Sequence, residues 1–139
     1  MRIRFLHFGL AALLLASISC DGFTGPHAGL PVDLAITALR DAPPPATVSV
    51  VGNRVVLAGA VGTPDPCYSF AAEATTVPGV LLVNLQARSS AEGCIQILGA
   101  FTYGIAVRNV PRGSWHVVLS YGISGRETST LFSGTVIVE

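Results

Sequence analysis

From residue 47 to the end of the chain, apolar and polar positions alternate with a period of two, the pattern of strands that bury one face. It is clearest over residues 80–88, where Leu81, Val83, Leu85 and Ala87 alternate with Asn84, Gln86 and Arg88. Phe101, Tyr103, Ile105 and Val107 alternate in the same way with Thr102, Ala106 and Arg108. Trp115, Val117, Leu119 and Tyr121 form a bulky face with His116 opposite, and Leu131 to Val138 reads as the last strand. Between Cys67 and Thr76, one face carries Tyr68, Phe70, Ala72 and Ala74, and the other carries Cys67, Ser69, Ala71 and Glu73. Thr47–Val51 and Arg54–Ala60 are β-rich runs; Gly52-Asn53 between them fits either a hairpin turn or a bulge in one long strand. Upstream, Val32, Leu34, Ile36 and Ala38 share one side, as a first strand or as an extended approach to the domain. Pro43, Pro44 and Pro45 end that run, because proline lacks a backbone donor and holds the chain in a stiff extended form.

The punctuation agrees with this reading. Gly62 to Pro66, Pro78-Gly79, Pro111-Arg112-Gly113 and Gly122-Ile123-Ser124-Gly125 read as turns, and a long connection from Ser89 to Gly99 carries Cys94. Seven or eight short strands without a helical period predict an all-β fold, a two-sheet antiparallel β-sandwich. Its expected core contains Leu81, Val83, Leu85, Ile105, Val107, Trp115, Val117 and Leu119. Strand number, the lone Trp115 and the hairpin from Asn109 to Trp115 resemble immunoglobulin-like and fibronectin type III-like domains. The resemblance is one of architecture: Trp115 follows both Cys67 and Cys94 instead of lying between them.

The first residues break the alternation. Arg2 and Arg4 precede an apolar run from Phe5 to Ile18, followed by Ser19 and Cys20, the order of an export signal. The run is short for a permanent membrane span. The expected organisation is a signal peptide over residues 1–19, a glycine-rich tether over 20–31, and a β-sandwich over 32–139 with its core from about residue 47. Leu15, Ala16, Ser17, Ile18, Ser19 and Cys20 resemble the lipobox of bacterial lipoproteins. That resemblance implies a Cys20 thiol joined to diacylglycerol, an amino group acylated by palmitate or a similar chain, and residence in the bacterial cell envelope, facing the periplasm or the exterior. Ser17 and Ser19 also satisfy the small-x-small rule of ordinary signal peptidase, which would release a soluble chain beginning at Cys20.

Cysteine arithmetic bears on the choice. The chain has three cysteines, and an unpaired thiol is a reactive liability in an oxidising compartment. If lipid consumes Cys20, then Cys67 and Cys94 remain to form a disulfide. Closing a loop of about 28 residues stabilises a fold by about 3.5 kcal/mol on the chain-entropy model.

Charge narrows the partners. The sequence contains no lysine, and its arginines beyond the leader (Arg40, Arg54, Arg88, Arg108, Arg112 and Arg126) are scattered. Nucleic acid, which demands clustered cations, is therefore not expected as a partner. The chemistry-bearing residues make no recognisable site. His116 falls on the polar face of its strand, and Asp65, Glu73 and Glu127 lack a metal-ligand spacing relative to it. Gly122-Ile123-Ser124-Gly125 is not a nucleophile elbow, and Asp65 between two prolines is suited to forming a turn. No catalytic, metal or cofactor residues are assigned. The expectation is a non-enzymatic envelope lipoprotein, tied to the membrane through its N-terminal lipid and binding an envelope protein or glycan. The Ser89–Gly99 connection and the Gly122–Ser129 loop, with Arg126 and Glu127, are the candidate contact segments. The alternative is an envelope-associated hydrolase whose active site is assembled from residues distant in sequence.

Overall fold

The computed structural model describes residues 29–90, 93–95, 97–124 and 126–139. The signal peptide, Cys20 and most of the tether lie outside them. The described residues form nine strands: β1 (Gly29–Leu30), β2 (Val32–Ala38), β3 (Thr47–Val51), β4 (Arg54–Thr63), β5 (Tyr68–Val77), β6 (Val80–Ser89), β7 (Gly99–Val107), β8 (Gly113–Ile123) and β9 (Ser129–Val138). A five-stranded sheet in the order β1-β5-β6-β8-β9 lies against a four-stranded sheet in the order β2-β7-β4-β3, giving an all-β, sandwich-like fold.

Three features differ from the sequence expectation. First, the five-stranded sheet is mixed: β6 and β8 pair in parallel, with Leu81 opposite Val117 and Val83 opposite Leu119, while the four-stranded sheet is antiparallel. Successive strands alternate in direction, but β7 belongs to the other sheet, so β8 returns beside β6 running the same way. Second, a strand begins within the expected tether, while residues 32–38 take one of the two readings open to them, a first strand. Gly29–Leu30, at the end of the expected tether, pair with Thr75 and Ala74 of β5, while β2 pairs along β7 from Val32↔Val107 to Ala38↔Phe101. The chain changes sheets at Pro31, whose missing N–H costs nothing there and whose carbonyl accepts from the Arg108 N–H at 2.8 Å. Third, β4 runs to Thr63 and β8 to Ile123, so Gly62, Gly122 and Ile123 are strand residues and not turn residues.

Gly52-Asn53 is a two-residue hairpin: Val51 pairs with Arg54, and Gly52 takes a φ of 60°, as a type II′ turn requires at its first central position. At the next hairpin, Pro78 precedes Gly79 at φ 75°, and proline followed by a left-handed glycine is the chemistry of a type II turn.

The core sits between β4 and β7 on one side and β6 and β8 on the other. Leu57, Leu81, Leu85, Ile105, Val107, Val117 and Leu119 are wholly buried. Trp115 is the exception among the expected core residues. It is half-buried at the margin, packing against the core while its Nε1–H donates to the Pro111 carbonyl at 2.8 Å. At that position an indole N–H finds a partner that the apolar interior lacks. Strand β2 is held by Val32, Leu34 and Ile36 against the core. Its ion pair, Asp33 to Arg108 at 3.1 Å, has both side chains about half exposed and contributes at most ~1 kcal/mol.

Two close approaches depend on glycine. Gly59 lies opposite Tyr103 in the β4–β7 ladder, and a Cβ there would come within 2.7 Å of the Tyr103 Cζ. Gly99 is buried beneath the turn after β4, where a Cβ would come within 2.6 Å of the Asp65 carbonyl oxygen. Gly59→Ala should therefore destabilise the domain by about 1–3 kcal/mol, because the buried Tyr103 ring must shift within a packed core. Urea unfolding checks this, and replacing Tyr103 with a smaller residue in the same chain should recover part of the loss.

Candidate functional site

The strands run so that tight turns gather at one end of the sandwich and long connections at the other. Residues 52–53, 78–79 and 108–112 make the first end, where the described chain also begins. Residues 39–46, 64–67, 90–98 and 124–128 make the second, the loop end.

The loop end is built around Cys67 and Cys94, which are joined in a disulfide with 6.0 Å between their Cα atoms. Asp65 sets the turn that delivers Cys67: its Oδ1 accepts the Cys67 N–H at 2.9 Å. This is the side-chain-to-backbone bond by which aspartate stabilises turns. Thr63 donates its hydroxyl to the Asp65 carbonyl, and Ser90 donates both its N–H and its hydroxyl to the Cys67 carbonyl, each at 2.9 Å. The disulfide thus ties the connection after β6 to the start of β5.

That connection presents apolar side chains to solvent. Ile95, Ile97 and Leu98 are 64%, 58% and 87% exposed. Leu98 also forms one wall of a cleft of about 620 Å³ at the mouth between the two sheets. Gly62, Thr63, Gly99 and Ala100 come from the ends of β4 and β7, Ile123 from the end of β8, and Arg126 from the loop beyond it. The Arg126 N–H donates to the Ile123 carbonyl at 2.9 Å, which turns the chain back over the cleft. Both connections singled out in the sequence therefore contribute to one concavity.

Tyr121 braces the sheets near this mouth. Its hydroxyl donates to the Gly62 carbonyl at 2.9 Å, a bond from β8 across to β4. Burial, and after it the neighbouring Tyr68 phenol, raises the Tyr121 pKa above its ordinary value; burial alone raises that of Tyr103.

The remaining polar candidates do not converge. His116 is exposed on the outer face of β8, with its Nε2 3.1 Å from the Ser133 hydroxyl. Among the described residues no carboxylate is a hydrogen-bond or ion-pair partner of His116, so they supply no third member of a nucleophilic triad there. Glu73 lies on the outer face of β5 with Thr75, Asn84 and Ser120 along a separate shallow groove. Ligand atoms of Asp65, Cys67 and Cys94 lie within 4.8 Å of one another. With both sulfurs in a disulfide, that set offers no thiolate to a metal. Tyr103 and Tyr121 are buried and Tyr68 is partly so. Glu127 is exposed and does not line the cleft. His27, like Cys20, lies outside the described residues.

The exposure of Ile95, Ile97 and Leu98 escaped the sequence reading. The available signal was an apolar cluster without period between a cysteine and a glycine, in a segment assigned to neither a strand nor a turn. No protein-family model matches the chain, and neither a curated protein nor a solved structure matches it.

Replacing Cys67 and Cys94 together with alanine should lower stability by about 3.5 kcal/mol, measured as the unfolding free energy extrapolated to water, with a steeper denaturant slope as the uncrosslinked denatured chain expands. Tyr121→Phe should cost about 1 kcal/mol near neutral pH by removing the bond to Gly62. A phenol whose pKa is raised on folding contributes stability that is complete below its unfolded value near 10 and is lost as pH rises beyond it. The stability difference between the original chain and Tyr121→Phe should accordingly narrow when unfolding is repeated above pH 10.

Proposed function

We propose that this protein is an exported, lipid-anchored component of the bacterial cell envelope whose domain is a non-enzymatic binding module, with the loop end as its contact surface. The carrying observation is the row of exposed aliphatic side chains, Ile95, Ile97 and Leu98, beside an apolar cleft and held by the Cys67–Cys94 bridge. Holding large apolar side chains in water is unfavourable, and contiguous exposure of this kind marks surfaces that a partner covers.

The anchor and the surface are arranged to suit one another. In this reading Cys20 carries the lipid, and the described chain begins at Gly29, at the tight-turn end. The β strands here are mostly about ten residues long, or roughly 33 Å. The apolar loops would then face away from the membrane that holds the lipid, toward another protein or glycan of the envelope. A disulfide suits the oxidising side of that membrane. From the immunoglobulin-like comparison, the proposal keeps the display of loops at the end of a two-sheet sandwich; the parallel β6–β8 pair departs from its antiparallel form.

Two measurements test this reading. Cys20→Ser should move the protein from the membrane fraction to the soluble fraction, and intact mass of the membrane form should carry the acyl chains. A photocrosslinking residue at Leu98 in the native envelope should give one reproducible adduct. The same residue placed at Asn53, at the opposite end, should not. Equal labelling from both ends, or an unmodified Cys20, would count against the proposal.

A further inference from the structure

The cleft at the loop end has a more specific chemistry than the exposed loop around it. Pro64, Leu98, Ala100 and Ile123 give it an apolar lining, completed by Thr63 and by Gly62 and Gly99, two positions without side chains. Among the described residues, Arg126 is the one charged residue lining it, and no carboxylate does. Of the acids near it in sequence, Asp65 turns its carboxylate to the Cys67 amide, Glu127 lies off the lining, and Glu92 is outside the described residues. The concavity, about 620 Å³, is within the ~300–1,000 Å³ of small-molecule sites.

We propose that this cleft binds a small amphiphilic acid, with its apolar chain between Leu98, Pro64 and Ile123 and its carboxylate on the Arg126 guanidinium. The guanidinium is permanently charged and offers paired donors matched to a carboxylate, while Leu98, Pro64 and Ile123 offer an aliphatic chain apolar contact. A neutral lipid would leave Arg126 unused, and a short polar acid would leave the walls unused. The inference deepens the binding-module reading but does not depend on the identity of an envelope partner.

The test is an amide NMR titration of the isotope-labelled mature chain carrying Cys20→Ser, using decanoate, 1-decanol, decylamine and acetate as probes below their aggregation limits. Decanoate should shift the amides of Gly62, Thr63, Gly99, Ala100 and Ile123 saturably, 1-decanol should bind about tenfold more weakly, and acetate should shift none of them. Arg126→Gln should weaken decanoate about tenfold and leave 1-decanol unchanged, and Arg126→Glu should turn the preference toward decylamine. Leu98→Asp, at a position exposed enough to leave the fold intact, should weaken both decanoate and 1-decanol. The proposal is overturned by shifts spread over the whole domain, by saturable shifts outside the cleft, or by decanoate affinity that Arg126→Gln does not change. Absence of decanoate binding with a persistent Leu98 crosslink would end this inference alone. Decanoate binding without any crosslink would uphold it and remove the partner reading.

Discussion

The burial of β6 and β8 against β4 and β7 is the constraint on which the other elements depend. Leu57 and Ile105 from one sheet and Leu81, Leu85, Val117 and Leu119 from the other are wholly withdrawn from water. Each such side chain contributes about 1.5–3 kcal/mol relative to exposure, so these few contacts outweigh any surface ion pair. The parallel pairing of β6 and β8 follows from the same requirement. Each strand of the β6-β7-β8 succession needs an apolar partner face, and placing β7 in the opposite sheet supplies it while bringing β8 back beside β6.

Directional alternation within that core gives the molecule two unlike ends. The tight-turn end is closed by backbone bonds between loops, such as the Val110 N–H to the Asn53 carbonyl at 3.0 Å. The loop end is spanned by longer segments, which add the disulfide, the Asp65 turn and the Tyr121 hydroxyl to backbone bonds such as the Ser90 N–H to the Cys67 carbonyl at 2.9 Å. A concavity forms there because β4 and β7 end in small residues, Gly62, Gly99 and Ala100, where larger side chains would fill the mouth. The features that suit this end to the proposed recognition are thus by-products of how the sandwich is closed.

Strand positions were legible in the sequence where one face is buried. The alternation of Leu81, Val83, Leu85 and Ala87 marked β6, and the faces predicted for β5, β7 and β8 are those the sheets bury. Trp115 misled because it shares its face with Val117, Leu119 and Tyr121; its N–H needs an acceptor, and the margin beside Pro111 provides one. The sheet edge at β1 and β2 was only half legible. Gly29–Leu30 are too few to show a period, and the division of that segment between two sheets at Pro31 depends on what β5 and β7 offer from far along the chain.

The sequence by itself determined the all-β class, most strand positions and the Pro78-Gly79 turn, and its cysteine count pointed to the pairing of Cys67 with Cys94 once Cys20 is set aside for lipid. These are local or arithmetic properties: a period of two, a positive φ, a parity. Only the tertiary structure decided which strands neighbour one another, that one central pair runs parallel, and that Leu98 and Arg126 meet at one cleft. The physical reason is that sheet membership and loop convergence depend on contacts between residues distant in sequence. Alternation tells each strand which face to bury, but not against which partner.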